Sequence, residues 1–309
     1  MEIRAASAEE INARNRLTAA VWGNRLTVEQ YLERERRLLA TVFARRAMRS
    51  WVLVDGKEIL ASCESYSMPA LFAGKRGVAQ GMASVFVEEK HRGHGHARAL
   101  LGGLLRSFES ERALASILFS EVGTKLYGAL GYVSREMRAR QFEPASGDVS
   151  AVAQPFSRAQ SEQVLGPLLE EPREARFRIV LYHPQLEWHR ERSSVYHRFL
   201  HPERLDPDSL SGAITGKAWI AWTPDYRLDR LMVLDWRADT AEEKAALADA
   251  LRRAAHALGM PVAETWEGPE GSLPGGKVVP REDEVPMIRP IAPALSPADW
   301  KGYGRGCWV

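Results

Sequence analysis

The residues best suited to chemistry lie in one stretch, from Ser84 to Ala97, which reads SVFVEEKHRGHGHA. An apolar helix pattern follows directly, over residues 99–105. Gly93 and Gly95 allow the backbone to approach a ligand closely, and the start of the helix adds unpaired N–H donors and a positive dipole end. Positive or titratable side chains stand beside the glycines, at His91, Arg92 and His94. The stretch is therefore typical of a cradle for an anion such as a pyrophosphate.

The spacing of the glycines excludes two common nucleotide-binding motifs, because neither GxGxxG nor GxxxxGK[ST] occurs in the stretch. It contains RxxGxA instead, from Arg92 to Ala97, and LYGALGY follows roughly thirty residues later, over residues 126–132. From the residues alone, the glycines also fit a simple tight turn, and Tyr127 also fits a half-buried helix aromatic. A metal site is a further interpretation of His91, His94 and His96, although no carboxylate or cysteine stands at the usual ligand spacing.

Together, the two motifs resemble the core motifs of the Gcn5-related N-acetyltransferase (GNAT) superfamily, over residues 78–133. The order of predicted elements extends the resemblance to residues 1–145. It implies the GNAT fold, an α/β (α+β) architecture with a mixed central sheet, and acetyl-CoA as the cosubstrate. It also implies that Tyr127 lies beside the thioester sulfur, where its hydroxyl can protonate the departing thiolate.

The resemblance implies two sets of contacts with acetyl-CoA. The strand before the cradle supplies N–H groups that hold the pantetheine arm and polarise the thioester carbonyl, at Val85, Phe86 and Val87. The cradle itself holds the pyrophosphate through Arg92, Gly93, His94, Gly95, His96 and Ala97. No metal ion is expected.

Length, charge and cysteine content define the class of protein. The 309 residues fit two domains of about 150 residues better than one. The 42 Lys+Arg and 40 Asp+Glu give a net charge of +2, which argues against nucleic acid as a partner. The sequence has no apolar signal segment at its start and no apolar run long enough for a membrane helix. Cys63 and Cys307 suit free thiols, so we expect a cytoplasmic protein. The resemblance implies a small-molecule amine as the acceptor, and the oligomeric state stays open.

Hydrophobic patterns predict the elements of a first domain, residues 1–145. Strands are expected near residues 2–6, 51–54, 58–66, 77–87, 116–119 and 132–142. Helices are expected near residues 8–22 and 27–47, after the cradle, and over residues 122–130. The second helix begins with the capping box TVEQ at Thr27, and the first hairpin turns at Asp55-Gly56.

A second domain is predicted over residues 155–309, because composition marks a boundary just before it. Part of it repeats the order of a GNAT half, with a hairpin over residues 218–236, a helix over 240–259 and a strand over 262–266. Asp235 and Asp239 stand at the entry to this helix without a glycine, and these acids would repel a pyrophosphate. We therefore predict a degenerate GNAT-like domain that binds no CoA. An unrelated α/β domain with the same order of elements is the alternative.

A narrower resemblance follows from LFSEVG, residues 118–123, together with a second domain of this length and a Trp-rich C-terminus. These features resemble the fungal lysine N6-acetyltransferase family, which implies the side-chain amine of free lysine as the acceptor. Ser120 stands where many GNATs have an asparagine, and we count it with the acceptor site. The glycine-punctuated tail, residues 300–309, is expected to dock in a cleft between the domains and to contact the acceptor through Trp308.

Amide formation requires a neutral amine, and a lysine side chain with a pKa near ~10.4 is neutral in about one molecule in a few thousand at pH 7. The site must therefore remove a proton, directly or through water. Glu121, at the end of a strand, and Glu64, near the sheet centre, are the candidate bases. Either can instead be a solvated or salt-bridged carboxylate. We assign Glu121 to catalysis and Glu64 to the acceptor site.

Two other functions stay open. An amine antibiotic or a protein lysine would suit a wide acidic cleft, of which Glu282-Asp283-Glu284 is a local sign. A non-catalytic acyl-CoA sensor would keep the fold and the cofactor site, but the presence of Tyr127 argues for catalysis.

Overall fold

The computed structural model describes residues 1–169, 175–267, 271–281, 284–301 and 304–308. Their contacts divide the chain into two compact units, neither of which is a single segment. The first unit takes the described residues of Met1–Glu136, Ala175–Val180 and Glu282–Lys301, and the second takes those of Met137–Glu174, Leu181–Arg281 and Gly302–Val309. The predicted domain limits, 1–145 and 155–309, stay a prediction.

Strands and helices are numbered in chain order. The strands are β1 (Glu2–Ala5), β2 (Met48–Asp55), β3 (Glu58–Phe72), β4 (Lys75–Phe86), β5 (Ala115–Ser120), β6 (Val133–Ser134), β7 (Arg138–Phe142), β8 (Gln154–Phe156), β9 (Phe177–Ile179), β10 (Gly212–Thr215), β11 (Ala218–Asp225), β12 (Arg230–Arg237), β13 (Ala263–Glu267), β14 (Lys277–Pro280) and β15 (Val285–Pro290). The helices are α1 (Ala8–Trp22), α2 (Val28–Leu39), α3 (Val42–Ala47), α4 (His96–Ser110), α5 (Lys125–Gly128), α6 (Ser161–Leu169), α7 (His183–Leu200) and α8 (Ala241–Ala257). Within the described residues, no helix combines the length and the apolar composition needed to cross a membrane.

The first unit contains a mixed sheet of eight strands, counted over the described residues. Its strands lie in the order β1-β2-β3-β4-β5-β15-β6, and β9 pairs with the end of β3. β4 and β5 run parallel, and α4 forms the crossover that a parallel pair requires. The remaining pairs are antiparallel. The predicted α/β architecture with a mixed central sheet is therefore confirmed.

Helix α4 packs on β2, β3 and β4 because its apolar side chains recur at helical spacing. The buried residues of this helix are Leu100, Leu101, Leu104, Leu105 and Phe108. A Cβ built on Gly103 would lie 2.3 Å from Ile3 Cδ1. Glycine at this position therefore lets α4 lie close to β1. The close packing holds the helix, and with it the loop that leads into the helix.

The two predicted N-terminal helices correspond to α1, α2 and α3. Capping boxes at Ser7 and Thr27 begin α1 and α2 by satisfying the first free N–H groups of each helix. The predicted helix over residues 27–47 is broken, because Thr41 caps a new helix by accepting a hydrogen bond from the N–H of Ala44. The capping box predicted at Thr27 is confirmed.

The predicted closing strand over residues 132–142 is wrong as a single element. Its first part, β6, belongs to the first sheet, and its second part, β7, pairs with β13 and β14 in the second sheet. The place beside β5 is taken by β15, from the C-terminal part of the chain. Pro286 and Pro290 lie in β15, and because proline cannot donate to a ladder, this segment does not read as a strand.

The second unit contains a mixed sheet of seven strands among the residues described, in the order β14-β7-β13-β12-β11-β10-β8. β12 and β13 are parallel, and α8 connects them. The predicted hairpin, helix and strand are confirmed as β11 with β12, α8 and β13. Trp219 and Trp222 of β11 are fully buried and form part of the core of this unit.

We expect Ile288→Ala to destabilise the first unit, because Ile288 is fully buried in β15, where it pairs with β5 and β6. Truncation of a buried isoleucine costs about 2–5 kcal/mol of unfolding free energy. Val278→Ala on β14 is the matched control, since Val278 is 40% exposed and surface changes usually stay within about 0.5 kcal/mol. Urea unfolding followed by circular dichroism compares the two variants. Equal losses would speak against β15 as a core strand.

Candidate active site

The start of helix α4 has the geometry that an anion requires. Gly95 is the N-cap residue with φ 79° and ψ 9°, and Gly93 has φ 81°, so both lie in the left-handed region. Among the described residues, no side chain caps this N-terminus and no acid lies in its first turn. A Cβ built on either glycine would meet nothing within 4 Å. The first N–H groups of α4 therefore lie at an open surface, where an anion can accept their hydrogen bonds.

The side chains around this helix start are held by local contacts. Arg92 Nε donates to the carbonyl oxygen of Val87 at 3.1 Å, which ties the loop to the end of β4. The rings of His94 and His96 stack with their centroids 5.8 Å apart, and His91 meets His96 edge to face at 6.2 Å. In the described part of the chain, no group of three His, Cys, Asp or Glu side chains is placed to hold a metal ion.

The fold brings an acid from outside the Ser84–Ala97 stretch close to this loop. Glu58 Oε1, at the start of β3, lies 3.2 Å from Lys90 Nζ and 3.0 Å from His91 Nε2. This carboxylate offsets the positive charge beside it. The positive electrostatic potential at the start of α4 therefore depends more on Arg92, Arg98 and the helix dipole than on Lys90 and His91. Arg98 lies in the first turn of α4.

Strands β4 and β5 part just before this loop. Their parallel pairing runs from Ala79–Ala115 to Gly81–Ile117 and ends there within the described strands. Shortly after, Ser84 has φ 53° and the pairing of β4 with β3 shifts register, as in a β-bulge. The residues that follow are partly buried, at Val85, Phe86 and Val87. The edge of β4 that leaves β5 thus has backbone groups that the parallel ladder does not use.

Tyr127 lies in α5, which is shorter than the predicted helix over residues 122–130. Its side chain is 7% exposed, and its ring meets Tyr132 edge to face at 6.1 Å. Burial, with further contributions from Cys63 and Glu121, raises the pKa of Tyr127 to about 12. The hydroxyl therefore stays protonated at neutral pH and can donate a proton.

The end of β5 places Ser120 and Glu121 in different environments. Ser120 is buried, and its hydroxyl donates to the carbonyl oxygen of Gly123 at 2.5 Å, which closes the turn after the strand. Glu121 is exposed, yet it lies close enough to Tyr127 to affect the pKa of that residue. An exposed carboxylate beside Tyr127 can accept a proton and exchange it with water.

Glu64 is a buried carboxylate with several partners in the first unit. It is 3% exposed, and Arg14 Nη2 donates to its Oε1 at 2.5 Å. The hydroxyls of Tyr66 and Ser84 donate to its Oε2, each at 2.9 Å. Burial alone would raise the pKa of Glu64, but the charge and the hydrogen bonds of its partners outweigh burial and lower this pKa. A carboxylate held in this way is poorly suited to take a proton from an amine.

Arg14 and Ser84 are neighbours of the site that the sequence does not reveal. Arg14 lies on α1 with Asn15 and Thr18, and all three polar side chains are buried. A polar run on an amphipathic helix usually marks the solvent face. The partner of Arg14 lies 50 residues further along the chain, so no local spacing connects the two.

The C-terminal tail residues belong to different units. Trp300 is buried in the first unit, where its ring meets Phe119 edge to face at 5.9 Å. Residues 305–307 pack on β12 and α7 of the second unit, and Trp308 is 6% exposed. Gly302, Tyr303 and Val309 lie outside the described residues. The contact of Trp308 with the acceptor stays a prediction.

The corresponding helix of the second unit is closed at its start. The hydroxyl of Thr240 accepts a hydrogen bond from the N–H of Glu243 at 3.2 Å, within a capping box at the start of α8. Glu242 and Glu243 also lie in the first turn. A side-chain cap and two carboxylates already complement the dipole of this helix, so its start disfavours a second anion. The capped start of α8 agrees with the prediction that β12, α8 and β13 form a degenerate version of β4, α4 and β5.

Two family models cover most of the chain. Residues 2–134 match the acetyltransferase (GNAT) domain. Residues 153–308 match the LYC1 GNAT-like C-terminal domain. The chain belongs to the GNAT acetyltransferases. The second match confirms the predicted GNAT-like second domain, and it fits the resemblance to the fungal lysine N6-acetyltransferase family.

Solved structures of low sequence identity share the fold of this GNAT chain. A probable N-acyltransferase from Enterococcus faecalis V583 has a TM-score of 0.64 at 14% identity, over 94% of this chain and 72% of that chain. A GCN5-related N-acetyltransferase from Anabaena variabilis ATCC 29413 has a TM-score of 0.60 at 14% identity, over the same 94% and 72%. Eis1 from Mycobacterium abscessus has a TM-score of 0.55 at 16% identity, over 94% of this chain and 74% of that chain. No curated protein significantly matches the sequence.

The lowered pKa of Glu64 predicts how stability depends on pH. Above the ordinary carboxyl pKa of 4.5, the ionised pair with Arg14 contributes in full, and the contribution is lost as the pH falls through the lower pKa of the folded state. We expect Glu64→Gln, which leaves the Arg14 charge unpaired, to cost about 3–5 kcal/mol of unfolding free energy at pH 7. The difference from wild type should narrow below about pH 4.5.

Glu58→Gln is the matched control on the same strand, because the Glu58 side chain is 53% exposed. This change should leave the stability close to that of wild type. Urea unfolding at several values between about pH 3 and pH 7 measures both variants. A loss in Glu64→Gln that is the same at every pH would show that the ion pair is not its cause.

Proposed function

We propose that this chain transfers the acetyl group of acetyl-CoA to a small-molecule amine, and that the acceptor is the N6 amine of free lysine. One observation carries the proposal: the uncapped start of α4 follows, after a loop over residues 87–95, a strand that has left its parallel partner. The helix start offers N–H donors to a pyrophosphate, and the open strand edge offers backbone groups to an extended pantetheine chain. Both features lie within the residues that match the GNAT domain.

The open surface at α4 suits the phosphates of acetyl-CoA in shape and in charge. A groove continues from Gly95 along the helix, and its lining residues include Arg98, Gly102, Arg106 and Leu130. Arginine binds phosphate oxygens through parallel hydrogen bonds, so two arginines along the groove suit the nucleotide end of CoA. In this proposal Arg92 and the glycines hold the pyrophosphate, and Arg98 and Arg106 bind phosphate at the nucleotide end of CoA.

The choice of lysine rests on the second half of the chain. Residues 153–308 match the LYC1 GNAT-like C-terminal domain, and the resemblance to lysine N6-acetyltransferases also includes LFSEVG at 118–123. An amine antibiotic or a protein lysine is the competing acceptor. Of the acids that would favour such an acceptor, Glu282 and Asp283 lie outside the described residues.

The chemistry divides between two titratable side chains. The lysine nitrogen must lose a proton before it attacks the thioester carbonyl, and we assign this proton to Glu121, through water, because its carboxylate is exposed. As the C–N bond forms and the C–S bond breaks, the thiolate leaves and Tyr127 donates a proton to it. The nitrogen gives up its second proton to water, and water returns a proton to the Tyr127 phenolate. The N–H groups of residues 85–87 hold the carbonyl oxygen while it gains negative charge.

A turnover screen tests the proposal. Purified protein receives acetyl-CoA with free amino acids, polyamines, aminoglycosides or a lysine-containing peptide, and the release of the CoA thiol is measured. We expect lysine to give the highest kcat/KM, and mass spectrometry to place the acetyl group on N6. Preference for an aminoglycoside or a peptide would reject lysine and keep acetyl transfer. Binding of acetyl-CoA without turnover of any amine would favour the acyl-CoA sensor.

We expect Gly95→Val to abolish acetyl-CoA binding in calorimetry. A β-branched residue disfavours φ 79°, so the backbone would rotate and turn the first N–H groups of α4 away from the phosphates. Gly216→Val is the matched control, because Gly216 has φ 60° in a hairpin of the second unit and a Cβ there also meets nothing within 4 Å. The control should lose stability but bind acetyl-CoA normally. Wild-type affinity in Gly95→Val would rule out the cradle.

We expect Tyr127→Phe to lower kcat by roughly 10²-fold or more, with little change in the affinity for CoA, because only the proton donor is removed. Tyr132→Phe is the matched control, because the ring of Tyr132 packs against that of Tyr127 and its hydroxyl lies 2.6 Å from Ser116 Oγ. This variant should change stability and leave kcat near that of wild type. The pKa of about 12 for Tyr127 further predicts that wild-type kcat does not fall near pH ~10, where an ordinary tyrosine ionises. Unaltered turnover in Tyr127→Phe would return this residue to a packing role.

A further inference from the structure

The β-bulge in β4 has a serine where glycine would be the usual residue. Ser84 has φ 53°, in the left-handed region that disfavours residues with a Cβ. By the register of β3 and β4, Ser84 and Val85 together stand opposite Cys63. A strained conformation of this kind persists only where the surrounding structure holds it. The contacts of Ser84 should therefore show what holds the bulge.

A buried carboxylate provides that contact. The hydroxyl of Ser84 donates to Glu64 Oε2 at 2.9 Å. Glu64 is in turn held by Arg14 of α1, at 2.5 Å, and by Tyr66 of β3, at 2.9 Å. We refer to Arg14, Glu64 and Ser84 as the bulge clamp. Rotation of the backbone at Ser84 would break a charge-assisted hydrogen bond in the interior, where its loss is costly.

The bulge determines the direction of the N–H groups that follow it. The parallel ladder with β5 has already ended at Gly81, so the next residues, 85–87, take their orientation from the bulge and from β3. These are the amide donors that the proposed function assigns to the thioester carbonyl. Preorganised donors lose much of their effect when they are misplaced by even about 1 Å.

We propose that Glu64 is a positioning residue, which fixes the left-handed bulge at Ser84 and thereby orients the amide donors of the acetyl-transfer site. The inference rests on the proposed function and assigns Glu64 a role other than general base or acceptor ligand. Arg14 completes the clamp, because a buried carboxylate without a cation would be neutralised or would unfold its surroundings.

Two substitutions of Ser84 test the proposal. Ser84→Ala removes the hydrogen bond and keeps the Cβ that disfavours positive φ, whereas Ser84→Gly removes both the bond and the conformational penalty. If Glu64 acts on the backbone, alanine should lower kcat about 10- to 100-fold, and glycine should recover most of this loss. KM for acetyl-CoA should change less than kcat in both variants, because the phosphates bind at α4 and only the pantetheine arm and the thioester meet residues 85–87. Equal losses of kcat would overturn the proposal, since they would indicate a direct role of the hydroxyl.

Ser67→Ala is the matched control for these variants. Ser67 lies on β3, and its hydroxyl donates across the same strand pair to Gln80 Oε1 at 3.2 Å, in a stretch of regular pairing. Its kcat should equal that of wild type. A loss of kcat as large as in Ser84→Ala would show that any hydroxyl between β3 and β4 has this effect, and would overturn the proposal.

The pH profile of Glu64→Gln separates positioning from general base catalysis. A positioning residue lowers the plateau of kcat/KM and leaves its acid limb in place, whereas removal of the base abolishes the acid limb. Loss of the acid limb would therefore overturn the proposal. Ser84→Ala keeps the ion pair of Arg14 and Glu64, so the proposal stays testable even if Glu64→Gln does not fold.

Hydrogen–deuterium exchange distinguishes failure of this proposal from failure of the proposed function. Exchange in peptides that cover residues 85–87 should be faster in Ser84→Ala than in wild type, Ser84→Gly or Ser67→Ala, while peptides from β5 stay unchanged. Unchanged exchange in Ser84→Ala would overturn the bulge clamp whether or not the protein is active. If wild type acetylates no amine, the proposed function fails, and the exchange data still decide whether Glu64 holds the bulge.

Discussion

The separation of two parallel strands, β4 and β5, is the constraint on which the candidate site depends. The parallel ladder stops at Gly81 and Ile117, although both strands continue. β5 stays in the sheet because β15 pairs with it along its whole length, from Ser120 to Ala115. β4 stays in the sheet because β3 pairs with its other edge. The sheet can therefore open along one seam and leave backbone groups for a ligand without losing either strand.

The crossover helices of the two units differ at their N-termini. α4 and α8 are both long helices that connect a strand to its parallel neighbour. α4 begins at a glycine, and no side chain in the described part of the chain caps it, whereas α8 begins at Thr240 with a capping box and acids in its first turn. The same backbone dipole is thus available to a ligand in the first unit and satisfied internally in the second. Two helices that connect parallel strands in the same way therefore differ in whether a side chain caps their first N–H groups.

Three titratable groups of the first unit differ in environment, and the roles proposed for them follow from this difference. Tyr127 is buried, and burial is the largest cause of its raised pKa, so its proton is retained. Glu64 is buried with Arg14 and hydroxyl donors, so its charge is retained and its lone pairs are occupied. Glu121 is exposed at a strand end and can exchange protons with water. The proposed acid, positioning residue and base thus differ in burial and in charge partners, which are the factors that set the protonation of a side chain.

The sequence by itself determined the local features of the site. The spacing RxxGxA, the apolar pattern of α4 and the helix with Tyr127 were recognisable because glycine conformation, helix periodicity and capping act over a few residues. Both Gly93 and Gly95 have the positive φ that such a cradle requires. The capping box at Thr27 was likewise visible in the sequence and present in the structure.

Only the tertiary structure decided which strand lies beside β5 and what holds Glu64. β15 comes from the far end of the chain and carries two prolines, so its pairing depends on a partner that no local pattern names. Arg14 and Glu64 are 50 residues apart, and neither residue type nor spacing indicates that both are buried. Burial and charge partners set the protonation of a side chain, and both arise from contacts between distant segments. For this reason many of the elements were predictable, while the partners of the carboxylates required the fold.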